Sequence, residues 1–137
     1  MAPDSSTNEN LKEAISATTR ALAQDPELEI SFGGMPSTGS KIVLSNPPTR
    51  KSEIASFRGR ADALACSNRF SSNEIFLDTG SSRLNNLIGK LEEVRVEILG
   101  SMKYEGVANN LNARFEDKCK AFVSIEERED LLEPALE

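Results

Sequence analysis

Apolar residues recur along this chain mainly at helical spacing, and at strand spacing in two short stretches. Leu11, Ile15, Thr18 and Leu22 line one face of a first helix, widened by Ala14, Ala17 and Ala21. Ser6 and Glu9 have capping-box spacing at its start, and Asp25-Pro26 ends it. Leu28, Ile30 and Phe32 then alternate with Glu29 and Ser31, the pattern of a half-buried strand. Gly33 to Gly39 is rich in turn formers and leads to a second strand at Lys41–Ser45, so a hairpin is expected before Asn46-Pro47-Pro48. Thr49 is placed to cap a helix over 50–69, with Ile54, Phe57, Ala61, Leu64 and Ala65 buried. Phe70 to Leu77 reads as a short helix or ordered turn.

A further helix, capped by Ser81 or Ser82 and ending at Gly100, has the strongest pattern. At 100° per residue from Leu91, the side chains of Leu84, Leu87, Ile88, Val94 and Ile98 fall within about 60° of it, a stripe expected to face the core. Arg95 lies inside the same arc. Its guanidinium keeps its charge, so it either snorkels out at the edge of the stripe, which is the first expectation, or forms an ion pair, or meets a partner. Met102 to Tyr104 form a corner. From Gly106 another helix carries Val107, Ala108, Leu111, Phe115 and Cys119 on one face, with Asn109 flanking that face and Asn110 pointing away to the surface. Ser124 with Glu127 repeats the capping-box spacing and opens a short acidic helix that fades at Glu133-Pro134. The fold class read from these patterns is mostly α with a small β-hairpin (α+β), antiparallel helices packing on a short two-stranded element. Residues 1–7 read as a disordered N-terminus, 8–122 as a helical domain, and 123–137 as an acidic helix and the start of a linker.

Composition narrows the function more than the fold. The 137 residues suffice for one domain with its own core, without metals or disulfides. The net charge of −6 arises wholly after residue 70, where fourteen acidic side chains face eight basic ones. That disfavours nucleic acid and anionic membranes as partners. The polar, acidic start is no signal peptide, and no stretch is apolar enough to span a bilayer, so the cytoplasm is the expected compartment. Cys66 and Cys119, far apart and outside any C-x-x-C, read as reduced thiols, Cys119 as a small buried hydrophobe.

The chain contains no histidine, which removes imidazole acid–base catalysis, the Ser-His-Asp and Cys-His systems and the commonest transition-metal ligand. Its adjacent carboxylates, Glu92-Glu93, Glu116-Asp117 and Glu126-Glu127, point apart on a helix and stay solvated, a poor basis for a catalytic pair. The Gly33–Gly39 loop is not followed by G-K-[ST] or a helix, so it reads as a hairpin loop rather than a phosphate cradle. Arg58 and Asp62, at i and i+4, are spaced for a surface pair, and Gly59 between them hints at close packing. No catalytic, cofactor-binding or metal-binding residue is expected. The candidate structural or interface residues are Arg58, Asp62, Arg95, Tyr104, Asn109 and Asn110. These readings stop at a helical interaction module, such as a stand-alone protein–protein adaptor.

Three segments carry a more specific resemblance: F-R-G-R-A-D-A-L-A, E-V-R-V-E-I-L-G and Y-E-G-V-A-N-N-L-N-A-R-F-E-D-K. Together they resemble the N-terminal region of the cobaltochelatase T subunit family (CobT) of aerobic cobalamin synthesis. Arg58, Gly59, Ala61, Asp62, Arg95, Val96, Glu97, Gly100, Gly106, Val107, Ala108, Asn110 and Leu111 match its pattern. Val94 stands where the family tends to have glutamine, and the histidines common after the R-G-x-A-D helix are missing. The resemblance implies a subunit of an ATP-dependent machine that inserts cobalt into hydrogenobyrinic acid a,c-diamide. In that machine an AAA+ subunit hydrolyses ATP, a large subunit holds the macrocycle, and this subunit assembles and couples them, itself as an oligomer. Cobalt, magnesium and ATP belong by this resemblance to the full complex and none to this chain. The family's long acidic linker and adhesion-type domain with its D-x-S-x-S motif are not matched, so a fragment or short form holding the N-terminal domain is expected.

Overall fold

The computed structural model describes residues 5–34, 42–72 and 78–130. Helix α1 (Ser5–Ala23) leads to strand β1 (Ile30–Phe32) and strand β2 (Ile42–Leu44). A single 3-10 turn (Lys51–Glu53) then opens helix α2 (Ile54–Phe70), and helices α3 (Ser82–Lys103) and α4 (Glu105–Asp130) complete the fold. The mostly helical class with a two-stranded element is as read from the sequence. Among the described residues no helix is long and apolar enough to cross a membrane.

The strands pair in parallel, Ile30 opposite Ile42 and Phe32 opposite Leu44, and not as a hairpin. Strands of three residues span only about 10 Å, and the link over residues 33–41 is long enough to carry the chain back to the same end. Residues 35–41, which hold most of the turn signal at Gly33–Gly39, lie outside the described ones. Ile42 and Leu44 still face inward, beside Leu28.

Helix α2 is the centre of the molecule and packs on α1, α3 and α4. Its buried face is built largely from small side chains, Gly59, Ala61, Ala63, Ala65 and Cys66, with Phe57 at its start and Asp62 in its middle. Small residues let neighbouring backbones approach closely, and two glycines show how closely. A Cβ at Gly59 would lie 2.1 Å from the backbone oxygen of Asn110 in α4. One at Gly100 of α3 would lie 2.3 Å from Cys66 Sγ.

That closeness explains why α3 is turned the opposite way from the expectation. Its buried residues are Glu92, Val96 and Gly100, and the stripe of Leu84, Leu87, Leu91, Val94 and Ile98 lies outside, each side chain 50–61% exposed. Leucines on the inner side would hold α3 away from the alanine-rich face of α2, so the narrow face goes inward. Gly100 is accordingly not a helix end. The helix runs on to Lys103, and Tyr104 alone, with extended backbone, makes the corner.

Smaller departures have equally local causes. In α1, Thr19 is buried with Ile15 and Leu22, whereas Thr18, Ala14, Ala17 and Ala21 are exposed. The first helix is already formed at Ser5, within the stretch read as disordered; residues 1–4 lie outside the described ones. Thr49 caps no helix, because the 3-10 turn intervenes and the residue preceding α2 makes no side-chain cap. Residues 73–77, read as helix or turn, lie outside the described ones. Ser81, by contrast, does cap α3, its Oγ accepting from the Leu84 N–H. In α4, Val107 and Leu111 are buried, but Phe115 and Cys119 are not, since every residue from 115 to 124 is exposed. Ser124 opens no new helix: α4 runs through it, and its Oγ donates to the Lys120 carbonyl at 2.9 Å.

Candidate partner-contact site and the junction that supports it

The two segments R-G-R-A-D of α2 and G-V-A-N-N-L of α4 meet where these helices cross. Gly59 seats against the Asn110 carbonyl, and one turn along, Asn110 Nδ2 donates to Asp62 Oδ2 at 2.8 Å. Asp62 is only 4% exposed, and burial pushes its carboxyl above the ordinary value, partly offset by the Asn110 hydrogen bond and the Arg58 charge. Sequence spacing suggested a surface ion pair between Arg58 and Asp62, but Arg58 is exposed, Asp62 is buried, and no salt bridge joins them. Asn110, expected to point away, faces the core, and it is Asn109 that is exposed.

Asp62, Asn110 and Tyr104 line one cavity of about 390 Å³ between α1, α2 and α4, walled by Leu22 and Val107. The Tyr104 hydroxyl accepts from Arg69 Nη1 at 3.1 Å, and the same nitrogen donates to the Leu22 carbonyl at 3.2 Å. Arg69 thus ties the ends of α1 and α2 to the α3–α4 corner. Sequence reasoning passed over it because a charged residue in the last turn of a helix is normally solvated. Burial also lifts the Cys66 thiol to about 11, which leaves it protonated and unreactive at neutral pH.

Arg95 makes a structural ion pair instead of snorkelling. Its Nε and Nη2 donate to Glu92 Oε2 and Oε1 at 2.6 and 2.8 Å, and Nη2 also reaches the Phe70 carbonyl at 2.7 Å. Glu92, 5% exposed, further accepts from the Ser72 N–H at 3.3 Å. The Arg95 hydrogen bonds hold the Glu92 carboxyl down at about 2. The pair therefore clamps α3 to the end of α2. Glu92 was read as solvated together with Glu93, and only Glu93 is, pairing with Lys90 at 2.9 Å. A third link, Arg114 Nη1 to Glu97 Oε1 at 2.7 Å, joins α4 to α3. Among the described residues no group of three or more Cys, Asp or Glu side chains is arranged to hold a metal ion.

These internal links leave the large apolar side chains of two helices on the outside. Besides the α3 stripe, Met102 is 81% exposed, and on α4 Phe115, Phe122 and Val123 are 67%, 71% and 55% exposed. Scattered apolar residues are normal on a surface, whereas a stripe along a helix is a candidate contact site. Arg95, Glu92 and Glu97 hold the backbone that presents it.

Residues 5–135 match the protein family described as cobalamin biosynthesis protein CobT. No solved structure matches the chain. Matched over nearly its whole length, the chain belongs to the CobT family of cobalamin biosynthesis proteins.

Proposed function

We propose that this chain acts in a cobaltochelatase as an assembly and coupling unit. It would join an ATP-hydrolysing AAA+ subunit to the large subunit that holds the corrin macrocycle, with the cytoplasm as its compartment. Cobalt is the cargo of that reaction, and bond-making is left to the other subunits. The observation that carries this reading is the outward apolar surface of α3 and α4, fixed on a helix junction whose charged groups are engaged with one another. A surface of this kind, rigid and already shaped, binds without first paying an ordering cost.

The test is capture of the AAA+ subunit from the same genome by this chain and by any longer form. Binding is expected, together with its loss when Phe115 and Phe122 are both replaced by serine. Retention of neither form, at micromolar concentrations and with nucleotide present, would remove the coupling role.

A further inference from the structure

Of the two carboxylates buried among the described residues, Glu92 has its cation and Asp62 has none. Arg58, whose charge reaches Asp62, is exposed and makes no ion pair with it. Arg69 is engaged by the Leu22 carbonyl and the Tyr104 hydroxyl. A carboxylate offers about four acceptor positions, and here Asn110 Nδ2 fills one of them, on Oδ2. Oδ1 has no partner in the chain, yet it is not among the polar atoms sealed from solvent, so it opens onto the space beside it. That space is the cavity of about 390 Å³ between α1, α2 and α4, with a recess of about 40 Å³ that shares Thr18, Asp62 and Asn110 with it. The larger cavity is of a size that takes a small molecule. Its floor is Asp62 with Leu22 and Val107, all buried, and its rim is Thr18, Ala21 and Gly106, all exposed. The rim residues are small, and a Cβ at Gly106 would meet nothing within 4 Å, so the entrance stands open.

We infer that this cavity binds a small molecule carrying one alkylammonium group on a compact apolar body, the ammonium on Asp62 and the body against Leu22 and Val107. The polar groups at the floor choose the class. Asp62 Oδ1 accepts, and the Asn110 amide oxygen, left over when its nitrogen binds Asp62, is a second acceptor. Two acceptors, one of them charged, call for a guest with several N–H donors and a positive charge. Water or a neutral guest leaves the buried charge uncompensated, and an anion meets it head on. An ammonium is compact and has three donors to share between the two acceptors. The apolar walls add affinity only when the guest also brings hydrocarbon to cover them. This site stands apart from the coupling role, since it uses neither the α3 stripe nor the exposed end of α4.

Titration of the 137-residue chain with cyclohexylamine hydrochloride at neutral pH, followed by backbone amide NMR shifts, tests it, with cyclohexanol as the neutral counterpart of the same shape. Saturable shifts are expected around Thr18, Ala21, Asp62 and Gly106, with a dissociation constant of about 1 mM or below. Cyclohexanol should bind about tenfold more weakly or worse. Asp62→Asn, which keeps the shape and an oxygen for the Asn110 N–H, should weaken the amine about tenfold and leave the alcohol unchanged. Ala21→Leu fills the entrance from an exposed position, so it should fold like the parent chain and bind neither compound. No saturation in the millimolar range, equal binding of amine and alcohol, or an Ala21→Leu chain that binds like the parent would each overturn it. Tighter binding of Nα-acetyl-lysine amide than of cyclohexylamine would overturn it in favour of a lysine side chain from a protein partner.

Discussion

At the scale of single residues, buried polar groups are held by few partners, so each partner matters. Replacing Asn110 by alanine leaves the Asp62 carboxyl buried without its donor, which is expected to cost about 1–3 kcal/mol in denaturant unfolding. Adding Asp62→Ala should return part of that loss, because the orphaned group goes with it. A loss below about 0.5 kcal/mol for Asn110→Ala would show the cavity to be wet enough to replace the amide. Glu92 gives a signature in pH. Its folded value, about 2, lies below the ordinary 4.5, so its contribution is complete above 4.5 and is lost as pH falls toward 2. Asp62 works in the opposite sense: its raised value favours the protonated form in the fold, and its ionisation opposes folding as pH rises. The melting temperature of Glu92→Gln should therefore fall less steeply with acidification than that of the parent chain, by scanning calorimetry from pH 6 to about 2.5. Parallel curves would mean that Glu92 is not the acid-labile group.

At the scale of the helix, glycines separate packing from propensity. Gly59→Ala drives a methyl into the Asn110 backbone, and α2 and α4 must part, at an expected cost of about 1–3 kcal/mol or more. Gly89→Ala, in the same fold but with nothing within 4 Å, should instead stabilise α3 by about 0.5–1 kcal/mol. The same contrast shows what the sequence could and could not reveal. Periodicity located every described helix, and Gly59 announced a close approach. Periodicity did not say which side of α3 faces in, because a helix packed on small residues goes inward by its narrow face, and that depends on α2. Nor did it separate Asn109 from Asn110, or show that Phe115 lies beyond the last packed turn of α4. The Glu92–Arg95 spacing was visible as a helical i, i+3 pair; its burial depends on the Phe70 and Ser72 backbone, which only the fold brings near.

At the scale of the whole molecule, Gly59, Asp62, Glu92, Arg95, Glu97, Gly100 and Asn110 build the junction of α2, α3 and α4, and the outer sides of α3 and α4 carry exposed apolar side chains. In the proposed role the junction supplies rigidity at the centre and the exposed edges supply the contact. Hydrogen–deuterium exchange of the chain, alone and with the AAA+ subunit added in excess, reads those edges directly. Slower exchange is expected along residues 115–124 of α4, where the free helix is exposed on every side, with the α2 junction already protected and unchanged. Unchanged exchange over 115–124 in a complex that demonstrably forms, or protection appearing only around the Asp62 cavity, would contradict it.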